Sequence, residues 1–216
     1  LAATFKVPQV SWGSTSPKLS NKDAYPYFLR TIPPDSIQGL AFWQWLVHFQ
    51  VPSAVFIYSL EPYGEGLFQA VSSNAVLAGQ SYRVSGVGVS YMPVNFYVEE
   101  ARAALKLAMS LGSKFLLLGM TRDQSSSFLP VMRDEGALTQ DWQLLGSEAI
   151  GVTETAVGFT MDDIPIGFMQ FFPVSKGPKF PEFEKLWLKL TADDVIGTDA
   201  SSRYNLDKFK VSLDSM

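Results

Sequence analysis

The chain has 216 residues, 47% of them hydrophobic and 18% charged, and a formal net charge of −4, a composition typical of a folded globular domain. The acidic balance and the scattered basic residues argue against nucleic-acid binding, which needs clustered Lys and Arg. The chain contains no cysteine and a single histidine, His48, which excludes disulfides, thiolate metal sites and His-rich zinc sites. No apolar run approaches about 18 residues, the length that spans a bilayer. The first residue is Leu rather than Met, which indicates a processed chain or a piece of a longer one.

Short apolar runs alternate with longer amphipathic stretches in the first half of the chain, which predicts strands alternating with helices. The predicted order is strand 7–12, an extended crossing at 27–32, helix 35–49, strand 53–60 and helix 63–79. The run "SAVFIYSL" is continuously apolar, as in a strand that is buried on both faces. Asp35 followed by Gln38 predicts a capping box at the first helix, and Gly79 predicts the end of the second.

The second half continues the same alternation. The predicted order is strand 82–91, helix 94–111, strand 114–120, helix 124–138, strand 143–149, strand 166–174 and helix 181–190. Pro130 is expected to kink the fourth helix or to delay its start, and Pro181 lies in the first turn of the last helix. About six strands and five helices in this order predict an α/β fold with a doubly wound, mostly parallel sheet.

Ligands of open parallel sheets lie beyond the carboxyl ends of the strands, and polar residues follow several of these ends. Ser14 and Thr15 follow the first strand, Tyr63 follows the second, and Glu148 follows the fifth. Each also has a purely structural interpretation. The serines and threonine suit a hydroxyl-rich turn, Asp35 a helix cap, Tyr63 a ring packed on its own helix, and Glu148 a solvated loop acid.

Signatures of catalysis are missing from the sequence. It contains no GxSxG elbow, no P-loop and no GxGxxG fingerprint, and "GEG" at 64–66 lacks the third glycine. No spacing pairs the acidic residues for general acid–base chemistry. The sequence therefore predicts neither an enzyme nor a bound cofactor or metal.

The segment "VPQVSWGSTSPKLSNKDAYPYFLRTIPPDSIQGLAFWQWL", residues 7–46, closely resembles the receptor-family ligand-binding region. That family includes the extracellular domains of class C receptors such as the metabotropic glutamate receptors, the natriuretic peptide receptors, and the amino-terminal domains of ionotropic glutamate receptors. The matching positions are Pro8, Ser11, Thr15-Ser16-Pro17, Leu19-Ser20, Tyr25-Pro26, Phe28, Arg30-Thr31, Pro34-Asp35 and Gln38. A second block, "VFIYSLEPYGEGL", matches the strand-then-turn pattern of the family, whereas "LLGSEA" and "FPEFEKLWLKL" fit later positions more loosely.

The resemblance implies a type I periplasmic-binding-protein fold, in which two α/β lobes close on a ligand. It covers roughly residues 7–190 and implies a nearly complete lobe 2 with only part of lobe 1. Residues 1–34 would be the end of lobe 1 and the first crossover, 35–173 would be lobe 2, and 174–216 would return towards lobe 1 and form a C-terminal tail. A chain with one incomplete cleft wall is expected to bind its ligand weakly.

The resemblance also implies a set of ligand-binding residues. Ser14 and Thr15 would lie on the lobe 1 wall, where hydroxyls and amides of amino-acid sensors hold an α-carboxylate. Asp35, Tyr63 and Glu148 would face them from lobe 2, with the acids matching an α-ammonium and the ring packing over it. The chain departs from those sensors at Gly13, where they often carry serine, and at Glu148, where aspartate is commoner.

The function that follows from the resemblance is that of a sensor: the ligand-binding region of a membrane receptor, outside the cell, which binds a small molecule such as an amino acid. The expected partners are that ligand and a second, identical or related chain bound through lobe 1; the parent protein would be anchored in the membrane. Two alternatives remain open. One is a periplasmic solute-binding protein of an ABC transporter, and the other is a structural module that keeps the fold without a ligand.

Overall fold

The computed structural model describes residues 4–90, 97–150, 160–174 and 176–189. The chain divides into two compact units, Leu1–Pro173 and Val174–Met216. The strands are β1 (Gln9–Ser11), β2 (Phe28–Arg30), β3 (Ser53–Ser59), β4 (Arg83–Val89), β5 (Phe115–Gly119), β6 (Gln143–Gly146) and β7 (Met169–Gln170). The helices are α1 (Asp35–His48), α2 (Pro62–Leu77), α3 (Val98–Ser110), α4 (Arg122–Asp134) and α5 (Phe180–Lys189).

The first unit contains two parallel sheets. β1 and β2 form a small sheet in which Gln9 lies opposite Phe28. The larger sheet has the order β4-β3-β5-β6-β7 and every neighbouring pair is parallel. The chain moves outward from β3 to β4 and then crosses to β5, so the strand order reverses between β3 and β5. The predicted doubly wound parallel sheet is thus confirmed, with its switch point at that pair of strands.

Two apolar cores cover the two faces of the larger sheet. On one face α3 and α4 pack over β3 and β5 through Leu105, Phe128 and Ile57, all of which are at most 1% exposed. On the other face α1 and α2 pack through Phe42 and Leu67. Successive residues of β3 therefore enter different cores, as predicted for a continuous apolar run. Burial of each such side chain stabilises the fold by about 1.5–3 kcal/mol.

The structure corrects the predicted capping box at α1. Pro34 is the N-cap residue, Asp35 is the first residue of the helix, and no side chain caps this end. The backbone N–H of Asp35 instead donates to the carbonyl of Thr15 at 2.9 Å. A capping box is present at α4, where the N–H of Thr121 donates to Gln124 Oε1 at 2.9 Å.

Several predicted boundaries also differ from the observed ones. β6 ends at Gly146 and β7 has only two residues, although strands 143–149 and 166–174 were expected. α4 begins before the predicted start and continues through Pro130. The predicted end of strand 82–91, the start of helix 94–111 and the last residue of helix 181–190 lie outside the described residues.

The second unit contributes α5, which has Pro181 in its first turn as predicted. One side of this helix carries aromatic rings: Phe180 and Phe183 have ring centres 6.2 Å apart, and Phe183 and Trp187 have centres 5.9 Å apart. Across the described part of the chain, no helix combines the length and apolarity that a membrane span requires.

Candidate functional site

A pocket of about 140 Å³ lies in the first unit, beside the first turns of α1. Two chain segments that flank the larger sheet, 32–34 and 171–173, form much of its wall, together with Ile37 and Ala41 of α1. Its polar lining residues are Thr15, Asp35, Gln38 and Glu148. Residues more than 130 positions apart in the sequence therefore line one hollow, whose lining combines apolar side chains with the two acids Asp35 and Glu148.

Asp35 is the most buried polar residue of the pocket, with 1% of its surface exposed. Burial raises the pKa of its carboxyl group to about 6, although a hydrogen bond from the Thr15 hydroxyl and the charge of Arg30 both act to lower it. Arg30 is anchored by donating from Nη1 to the carbonyls of Ser14 and Ser16 at 3.2 and 3.0 Å. Among the described residues nothing donates to Asp35 Oδ2, which is buried. Asp35 thus has one buried carboxylate oxygen without a donor.

Glu148 lies in the turn after β6, opposite the first turns of α1. Gln38 donates from Nε2 to Glu148 Oε2. Burial raises the pKa of Glu148, a hydrogen bond from its own backbone acts to lower it, and the nearby charge of Asp35 raises it further. The turn is held by Gln170 of β7, whose amide donates to the carbonyls of Ser147 and Ile150, both at 2.8 Å. The position of Glu148 is therefore fixed by side chains from two other elements.

Tyr63 lies in the first turn of α2, directly after Pro62. The described residues that line the pocket do not include it, but Tyr63 is close enough to the acids to respond to them. Burial, followed in size by the negative charge of Glu148, raises the pKa of Tyr63. Its hydroxyl is buried and forms no hydrogen bond of normal geometry with any described residue. Tyr63 therefore adjoins the acidic side of the pocket from α2.

Ser14 occupies a turn beneath the first crossing and is not one of the described lining residues. Its Oγ accepts a hydrogen bond from Ser11 Oγ at 2.9 Å, and its backbone N–H donates to the same Ser11 oxygen at 3.0 Å. Of the five candidate residues, the structure brings Thr15, Asp35 and Glu148 together in the pocket. It places Tyr63 beside them, and Ser14, the residue before Thr15, is not among the described lining residues.

Sequence reasoning missed Gln38 and the apolar wall. Gln38 was interpreted as a capping partner, but it follows Asp35 by three residues, so both side chains lie on the same face of α1. That spacing was the available signal. For residues 32–34 and 171–173, the resemblance implied a crossover near residues 28–34 and a return at about 167–173, but nothing in either segment indicates that the two line one pocket.

Two acceptor atoms at the site lack donors. Asp35 Oδ2 and Gln38 Oε1 are buried and receive no donor from the described residues, and each buried unsatisfied acceptor costs about 1–3 kcal/mol. The described residues contain no cluster of three His, Cys, Asp or Glu side chains suited to a metal ion.

A parallel sheet whose strands alternate with helices is the architecture of type I periplasmic-binding-protein-like domains. The chain belongs to the receptor family ligand binding region, whose sequence model matches residues 1–203. This confirms the resemblance carried by residues 7–46.

Curated relatives are receptors that match over shorter stretches. The chain is 38% identical to a probable metabotropic glutamate receptor, mgl-1, of Caenorhabditis elegans over 65 residues, which is 30% of this chain and 6% of that receptor. It is 51% identical to metabotropic glutamate receptor 8 of Homo sapiens over 37 residues, which is 17% of this chain and 4% of the receptor. The matched stretches thus span only a small part of these receptors.

Proposed function

We propose that this chain is part of the sensing region of a membrane receptor and that it binds a small amine, such as an amino acid, in the pocket beside α1. The observation that carries this proposal is the convergence of Asp35, Gln38 and Glu148, two acids and an amide, on one pocket with buried acceptors left free. The ligand's ammonium group would be held by the acids, and the Thr15 hydroxyl would remain at the rim for a second polar group.

The proposal assigns 35–173 to lobe 2, 1–34 to the end of lobe 1 and the first crossover, and 174–216 to the return and tail. Ligand bound between the lobes would favour their closed arrangement, and the closed arrangement would be the signal. Under this proposal the chain does not catalyse a reaction. The sensor faces the outside of the cell in a membrane-anchored parent and pairs with a second chain through lobe 1.

The unpaired oxygens of Asp35 and Gln38 favour a sensor over a structural module. In a module without a ligand, these buried oxygens would destabilise the fold and serve no binding function. A solute-binding protein would use the same pocket chemistry, but the receptors that match this chain favour a sensor.

Titration calorimetry of the full chain with simple amines and α-amino acids, up to millimolar concentrations at pH 7.5, tests the proposal. Glu148→Gln removes a charge that faces the ammonium, so we expect it to weaken binding by about 1.5 kcal/mol or more, roughly tenfold in Kd. The matched control is Glu65→Gln, on the first turn of α2 and outside the pocket lining. It should leave Kd unchanged within about twofold.

Two results would count against the proposal. Binding that is equally strong in wild type and Glu148→Gln would place the ligand elsewhere. The absence of heat from every amine and amino acid would favour the structural module.

A further inference from the structure

A single side chain gathers the backbone of the turn that follows β6. The carbonyl oxygens of Ser147, Glu148 and Ile150 lie 2.8, 3.3 and 2.8 Å from the amide nitrogen of Gln170 on β7. Ser147 and Ile150 are buried, with 0% and 4% of their surfaces exposed. A side-chain amide has two N–H donors, and the two short distances account for both of them. Gln170 therefore holds three carbonyls of the turn around one donor group.

The backbone of β7 contributes little to this attachment. β7 consists of Met169 and Gln170, which lie opposite Leu145 and Gly146 of β6. The N–H of Phe171 donates to the carbonyl of Gly146 at 3.1 Å, one residue short of the turn. Beyond Gly146, the amide of Gln170 supplies the hydrogen bonds that the structure describes between the turn and β7.

Gln170 connects two walls of the pocket, although it is not one of the described lining residues. The turn that it holds carries Glu148, and the residues that follow it, 171–173, form another part of the lining. The ring of Phe171 also packs edge-on against Phe42 of α1, with ring centres 4.9 Å apart. A displacement of the turn would therefore stretch the hydrogen bonds of Gln170 and pull on the strand that leads into 171–173.

The chemistry of glutamine suits this position. Gln170 is the only polar side chain in the run "GFMQFFPV", residues 167–174, so the local pattern gives no reason for it. The turn gives one, because a long side chain with two donors reaches the carbonyls and adds no charge. A lysine there would also supply donors, but its ammonium would lie near Glu148 and neutralise the acid.

We infer that Gln170 is a positioning residue: its amide fixes the turn of Glu148 to the segment 171–173, so that a ligand held by Glu148 also tightens that segment. The inference rests on the proposed function and adds a means of transmission to it, because 171–173 is the stretch that would lead back towards lobe 1. A glutamine that only stabilised β7 would change the free energy of unfolding without coupling the turn to that segment.

Amide-resolved hydrogen exchange of the full chain without ligand tests the attachment. Gln170→Met keeps an unbranched side chain of similar length and removes both donors, so we expect the N–H groups of Ser147 and Ile150 to exchange at least about tenfold faster than in wild type. The matched control is Gln143→Met. Gln143 also donates from Nε2 to a backbone carbonyl, that of Gly167 at 2.7 Å, but it is the first residue of β6, at the end away from the turn. This control should leave the two turn amides within about threefold of wild type, and amides of β3 should be unchanged in both variants because the fold is intact.

Titration of the same proteins with ethylamine, L-alanine and L-glutamate tests the coupling. We expect Gln170→Met to weaken binding at least about fivefold and Gln143→Met to leave Kd within about twofold. In wild type a saturating probe should slow exchange of the Phe171 amide at least about threefold, whereas in Gln170→Met at equal saturation it should leave that rate unchanged. A second variant, Gln170→Glu, keeps the shape but puts an oxygen where the nitrogen donates, and it should behave as Gln170→Met does.

Three results would overturn the inference and leave the proposed function standing, since none of them alters binding by the wild type. They are turn amides that exchange at the wild-type rate in both Gln170 variants, probe affinities in both variants equal to those of wild type, and ligand protection of the Phe171 amide that persists in both. If none of the probes binds to the wild type, the proposed function fails, and the coupling fails with it.

Discussion

The carboxyl group of Asp35 is buried in the folded protein, and burial disfavours its ionised form. It is 1% exposed, and its partners are the Thr15 hydroxyl and the charge of Arg30. These two interactions stabilise the ionised carboxylate less than burial destabilises it, so the pKa of Asp35 rises from 3.8 to about 6. Near neutral pH the fold therefore contains a carboxylate that destabilises it.

Asp35→Asn should make the chain more stable at neutral pH. The folded state binds the Asp35 proton more tightly than the unfolded state does. The free-energy cost of ionising Asp35 in the folded state is therefore absent below about pH 3.8, grows between pH 3.8 and 6, and is complete above pH 6. We expect the variant to gain on the order of 1–2 kcal/mol of unfolding free energy at pH 7.5. That gain should disappear at pH 4.

Urea denaturation of both proteins between pH 4 and 8 measures this difference, and subtracting the two curves removes the contributions of groups whose pKa does not depend on Asp35. Asp141→Asn, at an exposed position, is the control and should change the free energy of unfolding by less than about 0.5 kcal/mol. A gain that is equal at pH 4 and pH 8 would show that the charge of Asp35 is not its source.

At the scale of single elements, the turn from β3 into α2 determines where Tyr63 lies. The chain turns sharply after Ser59, and the N–H of Glu61 donates to the Ser59 carbonyl at 2.8 Å. Gly64 then packs directly on this turn, because a Cβ atom at Gly64 would lie 2.4 Å from the Ser59 carbonyl oxygen and 2.7 Å from its nitrogen. The helix can approach the strand this closely only because Gly64 has no side chain.

Gly64→Ala should therefore destabilise the chain by about 1–3 kcal/mol, since the backbone of Ser59 cannot move without disturbing β3. The matched control is Gly66→Ala in the same helix, where the nearest atom to a new Cβ is Pro17 Cδ at 3.5 Å, an ordinary contact. That variant should gain about 0.5–1 kcal/mol from the helix propensity of alanine. Chemical denaturation of the two variants measures both changes, and equal effects in the same direction would refute the close packing of Gly64.

At the scale of the first unit, the two sheets differ in how well they are covered. The central strands β3 and β5 have neighbours on both sides and helices on both faces of the sheet. Within the described residues, β1 and β2 pair only with each other, over three residues, and Val10, Trp12 and Leu29 are exposed by 64%, 86% and 53%. Short parallel pairs with little burial open more easily than a covered central sheet.

Hydrogen exchange followed by mass spectrometry should separate the two sheets. We expect amides of β3 and β5 to exchange about 100-fold or more slowly than those of β1 and β2, because the former open only with the core. Equal protection in both sheets would show that the small sheet is covered as well as the large one, which would contradict this expectation.

The order of strands and helices followed from short-range patterns because each pattern reports the environment of its own segment. "SAVFIYSL" indicated a strand buried on both faces, and β3 is one. The same reasoning predicted a last strand of the first unit that is longer than the observed β7. The run 166–174 is apolar, but Gly167 has a φ of +98° and only Met169 and Gln170 join the ladder. Phe171, Phe172 and Pro173 of that run line the pocket instead, and Phe168 packs against the core beneath α3 and α4.

The sequence by itself determined the alternation of elements, the parallel sheet and, through the motifs of residues 7–46, the family. The tertiary structure decided which candidates meet: it gathered Thr15, Asp35 and Glu148, added Gln38 and the wall of 171–173, and kept Ser14 apart. The physical reason is that the two outcomes depend on interactions between residues at different separations along the chain. Periodicity and turn residues express interactions between neighbours along the chain, whereas a pocket built from both ends of the first unit exists only after the strand order has brought distant segments together.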